Sequence, residues 1–170
     1  MNLFFLRLSK ALAIVGGFVL SLLILIVVVS ILGRETGLGA IKGDYELVEA
    51  GMAFAIFAFL PYAHMTGAHA TVDIFTDWMA EASHRRLSAV IDVVFAVVLV
   101  IIAVKLFDGM ISKRDSGQTT LLLQFPVWWG YALSSGAAAI GAVVGVWHAI
   151  VRVIEAVTGR NIAVVEGDQT

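Results

Sequence analysis

The chain has 170 residues, of which 60% are hydrophobic and only 14% charged, with a mean hydropathy of +0.96. A soluble domain carries roughly 25% charged residues, so a water-soluble enzyme and a disordered chain are both excluded. The net charge of −2 supplies no basic footprint for nucleic acid, and the absence of cysteine removes disulfides, thiolate metal sites and iron–sulfur clusters. The expected fold class is an all-α integral membrane protein with four transmembrane helices and a short interfacial helix.

A span needs roughly 20 mostly apolar residues to cross a hydrocarbon core of about 30 Å. Residues 11–33 carry no charge and would reach about 34 Å at ~1.5 Å per residue. Arg7 and Lys10 precede this run as they would a signal peptide. The run is too long for one and no small-residue cleavage site follows, so it reads as a retained first span. The second span is expected over 47–63, with Glu46 and Glu49 at its start.

Between spans two and three, Ile74, Phe75, Trp78, Met79 and Ala82 fall at helical spacing while Asp73, Thr76, Asp77 and Glu81 occupy other positions. This pattern predicts an amphipathic helix over 71–83, N-capped by Thr71 and lying in the membrane interface. The third span, 87–107, carries Asp92 near one end and Lys105 near the other.

Residues 116–151 carry no Asp, Glu, Lys or Arg, too many for one crossing and too few for two. Pro126 resolves the length, because proline is tolerated in a first helical turn and poorly elsewhere. Trp128 and Trp129 follow it, as aromatic rings do at the water–lipid boundary. The fourth span is therefore placed at 126–153, residues 116–125 form a surface loop, and 161–170 a polar tail. The whole is one four-helix membrane domain over 1–160. Four spans put both termini on one side. With the N-terminus inside, six basic residues lie inside (Arg7, Lys10, Arg85, Arg86, Arg152, Arg160) against five outside (Arg34, Lys42, Lys105, Lys113, Arg114), a slight bias to cytoplasmic termini.

Ionisable groups within membrane helices mark function unless paired. Glu49, Asp92, Lys105 and His148 all lie within two or three turns of a helix end, away from the midplane where coupling-ion sites sit. Depth predicts two cross-helix pairs, Glu49 with Lys105 and Asp92 with His148, of which at least one should form. Four histidines (His64, His69, His84, His148) raise a haem reading, but only His64 and His148 could approach one another. A four-helix drug–proton antiporter would need a carboxylate in the first span, which has none. No nucleophile–base pair stands out, and Ser21, Ser30, Ser134 and Ser135 read as back-bonded helix serines. Neither an enzyme, nor a cofactor, nor a metal site is expected. In the fourth span, Ala137, Gly141 and Gly145 form one small-residue row and Gly130, Ser134, Ala138 and Ala142 its neighbour. Such rows let helices approach closely in lipid, against this chain or a partner.

The runs Tyr45-Glu46-Leu47-Val48-Glu49, Phe59-Leu60-Pro61-Tyr62-Ala63, Gly67-Ala68-His69-Ala70-Thr71-Val72-Asp73 and Leu123-Gln124-Phe125-Pro126-Val127-Trp128 occur in this order. Together they resemble the small, Q-type (DctQ-like) membrane subunit of tripartite ATP-independent periplasmic (TRAP) transporters, over about residues 6–157. One departure is Met65-Thr66, where many members of that family carry a basic residue before the histidine. The resemblance implies a bacterial inner-membrane complex that imports an organic acid anion with sodium. In it a large M-type subunit moves as an elevator and a periplasmic P-type protein delivers substrate. This chain would be a static scaffold in contact with membrane lipids. It also implies structural or interface roles for Glu46, Glu49, His69 and Asp73, with Pro126, Trp128, Gly141 and Gly145 as further packing or interface candidates. The outer loops, 33–44 and 108–125, become candidate contacts for the binding protein. The competing readings are a membrane haem or redox protein and a self-sufficient homo-oligomeric transporter.

Overall fold

A computed structural model describes residues 2–66 and 81–158, and for residue 2 and 81–86 the backbone alone. Four helices make up nearly all of it: α1 (Asn2–Glu35), α2 (Asp44–Met65), α3 (Glu81–Asp115) and α4 (Trp128–Thr158). All four are long and apolar enough to cross a membrane. The described residues form no strand, only an isolated bridge between Thr119 and Pro126. The interfacial helix expected over 71–83 lies outside the described residues as far as residue 80, and 81–83 already belong to α3. His69, Asp73 and the tail 161–170 also lie outside them.

The observed helices overrun the expected spans because an α-helix continues wherever its backbone bonds are satisfied, while an apolar count stops at the first charge. At 35 residues, α3 is about 52 Å long, far beyond the hydrocarbon thickness. It runs through Lys105 and Asp108, which pair at 3.4 Å in exposed positions.

The helices pack in the spatial order α1, α2, α4, α3, with α1 also touching α4. The central helix is α4, half buried within the chain, whereas α1 and α3 leave most of their apolar surface outward. The small-residue rows explain why. A Cβ added at Gly141 would come 3.1 Å from Pro61 Cγ, and one at Gly130 3.3 Å from Ala50 Cβ. These positions seat α2. A Cβ at Gly145 would meet Leu99 Cδ1 at 3.2 Å, which seats α3. On the far side of α2, a Cβ at Gly16 would lie 2.9 Å from Ala58 Cβ, so α1 and α2 are also in close backbone contact.

Candidate functional site

Polar side chains gather at the two ends of the bundle. At the first end, α2, α3 and α4 converge on Asp92. Its carboxylate lies 3.7 Å from His64 Nε2, 3.9 Å from His148 Nε2 and 3.5 Å from Arg152 Nε. Phe95, one turn along α3, stacks on the His64 ring at 4.2 Å between centroids. His64 and His148 meet edge to face at 5.0 Å. Arg152 Nε donates to His148 Nε2, and its terminal nitrogen donates to the buried carboxylate of Glu155. Phe5 of α1 stacks on Trp147 near the same level, so all four helices are tied at this end.

The donor atoms of His64, Asp92 and His148 all lie within 4.8 Å of one another, a spacing a metal ion could use. Arg152, however, already faces both Asp92 and His148. A fixed guanidinium there repels a second cation and supplies the positive charge that Asp92 requires. Haem ligation by His64 and His148 is likewise poorly served. Axial imidazoles must stand on opposite faces of a macrocycle, and rings 5.0 Å apart at 70° leave no room for one.

The second end is built by the two loops. Gly43 caps α2 with φ +78, a left-handed conformation that glycine adopts without cost, and a Cβ there would overlap the Leu123 side chain. Asp44 accepts from the Ser30 hydroxyl and from the backbone N–H of Tyr45, and faces Arg34 at 3.5 Å. The end of α1 is thereby bound to the start of α2. Glu46 crosses to the other loop, where its carboxylate accepts the backbone N–H groups of Leu122 at 2.6 Å and Leu123 at 2.9 Å. That loop closes on itself through Thr120 N–H to Phe125 O and Val127 N–H to Gln118 O.

Pro126 stands two residues ahead of α4 and not within its first turn, because Val127 still bonds back into the loop. Trp128 opens the helix with Arg114 lying 5.8 Å above its ring. Below the loop, between α2 and α3 and floored by α4, lies a groove of about 530 Å³ that includes Glu46, Glu49 and Ser134 in its walls.

Residues 23–159 match the family model described as Tripartite ATP-independent periplasmic transporters, DctQ component. The chain belongs to this family. No curated protein and no solved structure matches it.

Of the residues singled out in the sequence, those described fall as follows. Glu46 and Glu49 sit on the first turns of α2, one roofed by the loop and one in the groove. Gly141 and Gly145 pack inside the chain. Asp92 and His148 are brought together at 3.9 Å, but Glu49 and Lys105 are not. Lys105 is exposed and turns to Asp108 on its own helix. Equal depth in the membrane says nothing about rotation about the helix axis.

Two of the four serines also differ from expectation. Ser21 and Ser135 bond back to Gly17 and Ala132 carbonyls, whereas Ser30 bonds Asp44 and Ser134 bonds no backbone carbonyl. His64 and His148, the one histidine pair able to approach, do meet, and the contact sequence reasoning did not assign is that of His64 with Asp92. The place of His64 three residues after Pro61, on the buried side of the last turn, was the available signal.

Proposed function

We propose that this DctQ-family chain is the stationary, non-catalytic small permease subunit of a sodium-coupled TRAP importer of an organic acid anion. It braces the large M-type subunit and offers its outer loops to the periplasmic P-type binding protein. Both termini would lie in the cytoplasm and the four spans in a bacterial inner membrane.

One observation carries this reading. Most of the ionisable groups of the described spans are gathered at the two ends, where His64, Asp92, His148, Arg152 and Glu155 on one side and Ser30, Asp44 and Glu46 on the other hold the chain's own helices and loops together; Glu49 and Ser134, in the groove, stand outside these ties. A transport path needs ionisable or polar groups near the midplane that can change partners, whereas a brace needs fixed ties at both faces.

The outward apolar faces of α1 and α3 are the surfaces left for a membrane partner, because the small-residue rows of α4 are consumed within the chain. The test is uptake into proteoliposomes holding the large subunit and binding protein, with and without this chain, and this chain alone. Uptake should require the small subunit yet never occur with it alone. Flux through the chain alone, or full uptake without it, refutes the proposal.

A further inference from the structure

We infer that the groove between α2 and α3 is a binding slot for one phospholipid with a primary ammonium headgroup. This rests on the chain's own geometry and not on its role in a transporter.

The groove has a volume of about 530 Å³, within the ~300–1,000 Å³ of pockets that hold small ligands. Its shape excludes a crossing helix. At the loop end it is roofed by residues 120–127, pinned down by Glu46. At the other end α2 and α3 close together where His64 stacks on Phe95. A transmembrane helix, about 10–12 Å wide and running the depth of the bilayer, cannot pass between α2 and α3, because the loop roofs one end and the two helices meet at His64 and Phe95 further down. An acyl chain, which occupies one leaflet, can lie in the slot.

The polar groups in the slot choose the headgroup. Glu49 lies about 7.5 Å along α2 from Asp44 at 1.5 Å per residue, near headgroup depth, and makes no ion pair or hydrogen bond among the described residues. No lysine or arginine lines the slot, and the other carboxylate in it, Glu46, is spent on the loop amides. The site therefore repels an anionic headgroup and suits an ammonium group, best a primary one, whose N–H groups can donate to the Glu49 carboxylate as a quaternary ammonium cannot.

Ser134 is 2% exposed and its hydroxyl has no hydrogen-bond partner among the described residues. A buried hydroxyl is rarely left so. It lies four residues past Gly130, which packs on Ala50, and so about 6 Å deeper than that level, where it can donate to an ester oxygen. Ala53 and Leu106 continue the wall as apolar surface for the chain.

The test uses the full chain in detergent, exchanged against equal amounts of phosphatidylethanolamine, phosphatidylcholine and phosphatidylglycerol, with retained lipid counted by native mass spectrometry. Phosphatidylethanolamine should be retained about fivefold over the other two, the ratio expected of one ion pair of about 1 kcal/mol. Glu49→Gln should erase that preference without lowering total lipid. Ala53→Trp, which fills the slot, should lower retention of all three, and Ile24→Trp on the exposed face of α1 should change nothing. Equal retention of the three lipids by the native chain overturns the assignment, as does a preference that survives Glu49→Gln. So does a photoreactive group at Ala53 that cross-links in native membranes to a protein instead of to lipid.

Discussion

Replacing Leu99 with alanine tests whether the α3–α4 contact is made in lipid. Leu99 is 2% exposed and lies over Gly145, where the missing Cβ admits its side chain. In soluble cores Leu→Ala costs about 2.7–5.0 kcal/mol. Roughly 2.4 kcal/mol of that is transfer of three carbons back to water, at ~0.8 kcal/mol each. If α3 separates from α4 within a bilayer, those carbons meet lipid tails that are as apolar as leucine, and the transfer contribution vanishes. What remains is lost packing, about 0.3–2.6 kcal/mol. Reversible unfolding in bicelles, followed by a steric trap on α3, should give a loss in that range. A loss above ~4 kcal/mol would mean that the leucine leaves for water, and the membrane assignment of α3 would fall. A loss indistinguishable from zero would mean that Leu99 and Gly145 do not meet.

Other substitutions probe the remaining contacts. Gly16→Leu should cost about 1–3 kcal/mol through overpacking against Ala58, while Gly136→Leu, with open space around it, stays within about 0.5 kcal/mol; equal effects would contradict the α1–α2 contact. Asp92→Ala should destabilise by about 1–3 kcal/mol, less than a fully buried pair because Arg152 is partly exposed and keeps Glu155. A melting curve that does not move would show that the cluster ties nothing. Glu46→Gln should accelerate hydrogen exchange at the Leu122 and Leu123 amides more than at Val127, whose partner is the Gln118 carbonyl. A uniform change along the loop would argue against the carboxylate clamp. Since the chain has no cysteine, Leu38→Cys and Leu121→Cys, 88% and 83% exposed, give clean topology reporters. Both should react with an impermeant maleimide from the outside of intact cells, and reaction only after lysis would reverse the proposed orientation.

The parts of this structure that could be read from the sequence are those governed by one-dimensional rules. Four apolar runs give four helices, and the step from Pro126 to Trp128 places the last helix start within two residues. Small residues every fourth position on α4 announce close packing, though only the structure divides them, Gly130 and Gly141 to α2 and Gly145 to α3. Relations that need a second coordinate were not legible. Asp92 and His148 share a depth and meet. Glu49 and Lys105 share a depth and do not, because Lys105 faces away toward Asp108. Glu46 stood out at the start of α2, yet its partners are backbone amides 76 and 77 residues later, in a loop whose register no hydropathy pattern specifies.

The two ends of the bundle also differ in kind, and this bears on what the molecule can do. One end is closed by side chains from α2, α3 and α4 meeting around Asp92, and moving any of these helices would strand a charge in a poorly solvated place. The other end is closed by a carboxylate holding loop amides and by a hydroxyl holding Asp44. Those ties anchor connections without drawing α2 and α3 together. Between them α2 and α3 are free to stand apart, which is where the groove opens. A body clamped at one end and strapped at the other cannot rock about its middle without breaking one set of ties. Alternating access by this chain would require that motion, so these two sets of ties fit the proposed bracing role and would oppose a transport cycle of its own.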